Sequence, residues 1–168
     1  KTPQALAALN HLCSGGGRFS VLVVCPSSVV LNWVKEASTW ADNMDAIAVL
    51  KSKDLKDLPD LKKGRRILVV SWGMIFRIRA QLLALDFDAV VADEAHYAKS
   101  PDALRTMAFT EVAHKAQIRW LLTGTPMRNR PKEIWSLLHI LDPYAFPSFI
   151  PFGERYCGAR WQRIRRGR

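Results

Sequence analysis

The sequence predicts an α/β fold, a mainly parallel sheet flanked by helices. Two observations carry that prediction. Five short β-branched or apolar runs recur along the chain, and they are continuous rather than alternating, so both faces of each should be buried, as in a parallel sheet covered by helices. Between them lie segments whose apolar residues repeat with helical spacing, and strict strand–helix alternation implies right-handed crossover units.

The elements follow in order. Leu6, Leu9 and Cys13 share one helical face, and Gly15-Gly16-Gly17 end that helix. Val21–Cys25 reads as a strand. Val30, Trp33, Val34 and Ala37 form a second helical stripe, with Ser27 or Ser28 as its N-cap. Ala46–Leu50 and Ile67–Ser71 are the next two strands, separated by the charged segment 51–66, which reads as a surface loop or short helix. Ile75, Ile78 and Leu82 suggest a third helix. Ala89–Ala92 is a strand, followed by Ser100-Pro101, an N-cap with proline at the first helical position, and the stripe Leu104, Met107, Ala108, Val112. Arg119–Leu122 is the last strand. Ile134, Leu137, Leu138 and Leu141 stand at i, i+3, i+4, i+7 on the last helix, which Pro143 closes.

Composition excludes several classes. A chain of 168 residues with 49% apolar and 24% charged residues is one soluble domain's worth of material. No apolar run approaches the ~20 residues of a membrane-spanning helix, and Lys1-Thr2-Pro3-Gln4 does not open a signal peptide. Cys13, Cys25 and Cys157 are odd in number and far apart, with no metal-ligand spacing, which fits a reducing compartment. The expected location is intracellular: cytoplasm or nucleoid in a bacterium or phage, nucleus in a eukaryote. The net charge of +10 suggests a polyanionic partner, yet it is local. Segment 51–66 holds seven basic and three acidic residues, and 155–168 holds six arginines and no acid; everything else is neutral. The expected organisation is a domain over 1–154 and a basic tail over 155–168.

The chemistry concentrates in three places. The run 89–92 leads straight into Asp93-Glu94, and open α/β sheets bind ligands at the carboxyl ends of their strands. Two adjacent carboxylates there suit a Mg-nucleotide site, one holding Mg²⁺ and the other orienting and deprotonating a water. The alternative is that the pair merely caps the next helix. Lys1-Thr2 opens the first helix, where a phosphate-binding loop would place its lysine on the β/γ-phosphates and its hydroxyl on Mg²⁺. Thr123-Gly124-Thr125-Pro126 ends another strand with two hydroxyls around a glycine, and these could link the carboxylates to a bound polyanion; an ordinary strand-ending turn is the alternative. The six tryptophans read mainly as packing residues, with base stacking as the rival role. Cys25 reads as a buried, inert thiol, and His11, His114 and His139 as surface or packing residues.

The ordered set resembles the first RecA-like lobe of Swi/Snf-like DNA-dependent ATPases in helicase superfamily two, from residue 1 to about residue 158. Lys1-Thr2 with Gln4-Ala5-Leu6 looks like the end of motif I. Val23–Ser28 with Asn32-Trp33 and Glu36 looks like motif Ia, and Ser71-Trp72-Gly73-Met74 like motif Ib. Asp93-Glu94-Ala95-His96 with Lys99-Ser100 resembles motif II, the DEAH box. Leu121–Pro126 with Asn129, Glu133 and Leu137 resembles motif III. His96-Tyr97 taken with Arg155-Tyr156-Cys157 is similar to the annealing-helicase branch.

The resemblance implies roles. ATP and Mg²⁺ are the cofactors: Lys1 contacts the β/γ-phosphates, Thr2 and Asp93 hold Mg²⁺, and Glu94 is the general base. His96, Thr123, Gly124 and Thr125 couple the nucleotide site to the nucleic acid. Pro26, Ser27, Ser71 and Trp72 touch the phosphate backbone of duplex or branched DNA, contacts that set register rather than sequence preference. It implies a translocase that couples ATP hydrolysis to movement on DNA. The glycines of motif I, the adenine-recognition segment and the second RecA-like lobe with its arginine fingers are missing from the chain. Such fingers contribute ~10³–10⁵ in rate, so the isolated chain is expected not to turn over ATP. The competing readings are a non-catalytic nucleic-acid-binding module on a RecA-like scaffold, and a strand-separating helicase or restriction motor subunit.

Overall fold

The computed structural model describes residues 1–13, 16–56, 63–127 and 130–158. Gly15, segment 57–62, Asn129, Trp161 and the rest of 159–168 lie outside the described residues.

Five strands, β1 (Phe19–Cys25), β2 (Asp45–Ala48), β3 (Arg65–Ser71), β4 (Ala89–Asp93) and β5 (Ile118–Leu122), form one sheet in the order β2-β3-β1-β4-β5. Every pairing is parallel, and Val21–Val24 pair with Ile67–Val70 on one side and with Ala89–Ala92 on the other. All five expected strands are present. The edge strands β2 and β5 are only partly buried, with no neighbouring strand on one side. In β1, β3 and β4 the continuous apolar character has the anticipated cause, since alternate residues enter two separate cores. Leu22, Val24, Leu68, Val70, Val90 and Ala92 join one; Val21, Val23, Cys25, Ile67, Val69, Ala89 and Val91 join the other.

The helices divide between those cores. α1 (Thr2–Leu12) and α2 (Val30–Trp40) bury Leu6, Leu9, Trp33 and Ala37 on one face of the sheet. α3 (Arg79–Leu83), α4 (Leu104–Lys115) and α5 (Pro131–Leu141) supply Leu82, Phe109, Val112, Leu137 and Ile140 to the other. A sixth helix, α6 (Phe149–Cys157), packs on α5 and carries the chain past residue 154. The strand order puts a topological switch at β1: the chain leaves β1 towards β3 and β2 and returns to β4 on its other side. The crevice at the carboxyl ends of β1 and β4 is where such a sheet opens to a ligand.

Several local expectations need correction. Ser27 and Ser28 do not cap α2. They form a 3₁₀ turn over Ser27–Val29, and α2 starts behind Val29 with no side-chain cap. Pro101 is not the first residue of α4, because Ser100–Asp102 form a turn and the helix begins at Leu104. Leu104 and Met107 point outward, 58% and 49% exposed, while Phe109 is fully buried beside Ala108, Val112 and Ala113. On α5, Trp135, Leu137 and Ile140 are buried and Leu141 is turned outward. In both helices the sequence holds two overlapping apolar stripes, and spacing alone cannot choose between them. The larger ring settles the choice: Phe109 fills the space beside the Trp72 indole, with ring centroids 4.9 Å apart in an edge-to-face arrangement. α3 is shorter than its stripe, yet Ile75, Ile78 and Leu82 are all buried.

Within the charged segment, Ser52–Leu55 form a 3₁₀ turn. The Asp54 carboxylate accepts the Lys51 and Leu50 N–H groups at 2.8 and 2.9 Å, which holds its pKa below the ordinary carboxylate value. Among the described residues no helix is long and apolar enough to cross a membrane.

Candidate nucleotide site

The carboxyl end of β4 delivers Asp93 and Glu94 into the crevice. Glu94 sits in the left-handed region at φ 47°, ψ 53°, and the chain then turns through a 3₁₀ segment over Ala95–Ala98. A non-glycine residue held there costs about 1–3 kcal/mol, and such strain clusters at functional sites. The turn stops the strand abruptly and aims the Glu94 side chain across the crevice at the start of α1.

There it meets Lys1. Lys1 Nζ donates to Glu94 Oε1 at 3.1 Å, linking residues 93 positions apart in the chain. On the other side, His96 Nδ1 stands 3.2 Å from Glu94 Oε2 without a hydrogen bond between them. A Cβ on Gly124 would come 3.9 Å from Lys1 Nζ, so the loop after β5 lies against the same lysine. Lys1, Glu94, His96 and Gly124, four of the residues singled out from sequence, are therefore brought together by three different segments.

Asp93 is held more tightly. Its Oδ2 accepts the Trp33 indole N–H at 3.0 Å, its Oδ1 accepts the Glu94 backbone N–H at 2.9 Å, and its carbonyl oxygen accepts the Trp72 indole N–H at 2.9 Å. The sequence reading did not find these indole donors. A tryptophan in the first turn after one strand and another directly after a second strand were the available signal, but periodicity cannot say where an N–H points. Trp72, expected among the DNA-facing residues, is 2% exposed, with its ring stacked near Tyr97 and packed on Phe109. Of the other expected DNA-facing residues, Ser27 is exposed, Pro26 half-buried and Ser71 buried.

The Thr123 hydroxyl oxygen accepts the Thr125 N–H at 3.1 Å, a turn inside its own loop. Thr2 is half-buried at the first position of α1. Behind the site, Ser136 Oγ donates to Ala98 O at 2.7 Å, and Lys99 Nζ pairs with Glu133 at 3.2 Å, tying the segment after Glu94 to α5.

Cys25 ends β1 directly beneath this crevice. Burial, helped by the negative charge of Asp93, pushes its thiol up to about 12. Cys157 is partly exposed. At about pH 8, iodoacetamide is therefore expected to label Cys157 in the native protein and to spare Cys25 until denaturant is added. Peptide mass mapping checks this, and native labelling of Cys25 would contradict its burial.

Residues 1–157 match the family model described as the SNF2-related domain. The chain belongs to the SNF2-related domain family. This SNF2-related domain is 34% identical over 169 residues to Chromodomain-helicase-DNA-binding protein 8 of Danio rerio, covering 90% of the chain and 6% of that protein. It is 32% identical over 166 residues to the DNA annealing helicase and endonuclease ZRANB3 of Mus musculus, covering 95% of the chain and 15% of that protein. The domain thus spans only a small part of the curated relatives it matches. Among solved structures it is similar to the Sulfolobus solfataricus SWI2/SNF2 ATPase core in complex with dsDNA. The TM-score is 0.76 at 27% identity, over 94% of this chain and 32% of that one. The SNF2-related domain accordingly has the RecA-like fold expected from its ordered motifs, and the crevice beside Asp93 and Glu94 lies where those motifs converge.

Proposed function

We infer that this domain is the nucleotide-binding lobe of an intracellular, DNA-stimulated ATPase that couples hydrolysis of ATP to movement on duplex or branched DNA. The observation that carries this reading is the Lys1–Glu94 ion pair at the switch point of the sheet. A lysine ammonium and a would-be general base hold each other there. ATP phosphates offer Lys1 a stronger acceptor set than one carboxylate. When Lys1 turns to the β/γ-phosphates, Glu94 Oε1 is released to orient a water and take its proton as the water attacks the γ-phosphoryl group.

The donor set suits Mg²⁺. Each Asp93 carboxylate oxygen accepts one N–H and keeps lone-pair capacity, and the Thr2 hydroxyl is a second hard oxygen donor. Among the described residues no cluster of three or more His, Cys, Asp or Glu could hold a metal ion. That fits an ion carried by one or two protein oxygens together with substrate phosphates. Asp93 and Thr2 would hold Mg²⁺, which neutralises phosphate charge when bound.

Pro26, Ser27, Ser71 and Trp72 are proposed to lie on the segments that meet a DNA phosphate backbone, and His96, Thr123, Gly124 and Thr125 are proposed to couple those segments to the nucleotide. A second RecA-like lobe is proposed to complete the site with arginine fingers, so the lobe alone does not turn over ATP. The test is ATP binding and duplex-stimulated hydrolysis by the intact protein, with and without Lys1→Ala. Losing a hydrogen bond to a charged group is worth about 1.5–3 kcal/mol, so the variant should bind ATP roughly 10–100-fold more weakly. No ATP hydrolysis by the intact protein, with or without duplex DNA, would instead favour the non-catalytic module.

A further inference from the structure

Two buried indoles converge on one residue, and they come from the two segments proposed to face DNA. Trp33 lies in the first turn of α2, immediately behind Pro26 and the Ser27–Val29 turn. Trp72 follows β3 directly, next to Ser71. Trp33 is 1% exposed and Trp72 2%. Trp33 donates to the Asp93 carboxylate and Trp72 to the Asp93 carbonyl, at 3.0 and 2.9 Å. Trp72 also closes the circuit through its backbone, since its N–H donates to Cys25 O at 3.0 Å, the residue just before Pro26.

We propose that Trp33 and Trp72 are positioning residues, a paired indole clamp through which both DNA-facing segments set the position of the Mg²⁺-holding Asp93. An indole N–H only donates, so neither contact can be inverted by rotating a proton. Each indole has two side-chain torsions and is locked by packing, Trp72 between Tyr97 and Phe109. Displacing the Ser27–Val29 turn therefore moves the Oδ2 anchor, and displacing Ser71–Gly73 moves the backbone beneath it. The two arms divide the work. Trp33 acts on the carboxylate itself, hence on how well Asp93 holds the ion. Trp72 acts on the strand end, hence on how DNA binding is felt there. Outer-shell partners of metal-holding carboxylates commonly change metal affinity about 10–100-fold when removed. This inference rests on the ATPase reading above.

The test uses the intact protein with Trp33→Phe and Trp72→Phe, which keep an aromatic ring and remove the N–H. Benzothienylalanine at the same positions keeps the bicyclic shape and replaces N–H by sulfur, should a phenylalanine variant fail to fold. ADP binding is measured by calorimetry with Mg²⁺ and with EDTA, with and without duplex DNA, and needs no turnover. Loss of the Trp33 donor should weaken Mg-dependent ADP binding about tenfold and leave binding in EDTA unchanged. Loss of the Trp72 donor should leave Mg-dependent binding without DNA nearly unchanged and abolish the factor by which duplex DNA alters it, a coupling that must be reciprocal. Wild-type Mg-dependent affinity after loss of the Trp33 donor, or an undiminished DNA effect after loss of the Trp72 donor, would overturn the clamp while leaving the ATPase reading intact. A wild-type protein that binds no ADP, or whose ADP binding ignores DNA, would overturn that reading and the clamp with it.

Discussion

Glu94→Gln is expected to lower ATP turnover by the intact protein about 10²–10⁴-fold, the range a positioned general base contributes, with duplex-DNA affinity unchanged. The amide keeps the size and shape of the side chain and can still orient a water, but it cannot take the proton. The backbone cost of the left-handed conformation at residue 94 is common to both residues, so folding should not amplify the effect. The substitution does remove the Lys1 ion pair. Its side chains are 46% and 36% exposed, and solvent screening limits such a pair to about 0–1 kcal/mol. A large kinetic loss with a melting temperature nearly unchanged is therefore the signature. Turnover within about threefold of wild type would remove Glu94 from the general-base role, since that factor is far below any base contribution.

Phe109→Ala is the change expected to harm the fold most. The ring is fully buried and packs edge-to-face on Trp72, and truncating a core phenylalanine costs about 3–5 kcal/mol against a typical domain stability of 5–15. Leu104→Ala, five residues earlier on the same helix, should fall within about 0.5 kcal/mol of wild type because its side chain is 58% exposed. Urea unfolding of the two variants side by side measures the difference. Equal losses would mean that α4 presents the other stripe to the sheet. Because Trp72 leans on Phe109 and donates to Asp93, the same truncation should also loosen the nucleotide site.

This pair of residues shows why some of the molecule was legible and some was not. Runs such as Val21–Cys25 and Ile67–Ser71 are buried on both sides, so every position must be apolar and the strand announces itself whatever lies next to it. α4 is covered on one side only and carries Leu104, Met107, Phe109 and Val112 around much of its circumference. Its orientation is a choice made by the neighbour, and Phe109 could not be preferred over Leu104 until Trp72 stood opposite it. The caps behave alike. Ser27 and Ser100 have the chemistry of N-caps, but the chain first makes a short turn at each place, and the helices begin two or more residues later.

The candidate site divides along the same line. Asp93-Glu94 at the end of an apolar strand and Lys1-Thr2 at the start of a helix were identifiable as residue types in order, because phosphate and Mg²⁺ chemistry demands those groups at element ends. The local basicity of the chain told less. Its two basic stretches, 51–66 and 155–168, hold none of the residues that meet at the site, which is built from single charges facing one another.

The sequence by itself determined the layer architecture and the existence and order of the five strands, since continuous apolar runs and helical spacing are written in neighbouring positions. Only the tertiary structure decided that Lys1 would grip Glu94 and that Trp33 and Trp72 would hold Asp93 from two sides. The physical reason is distance along the chain. Those contacts join residues 21 to 93 positions apart, and a hydrogen bond between them has a direction that no local spacing encodes until the sheet order places β1, β3 and β4 side by side.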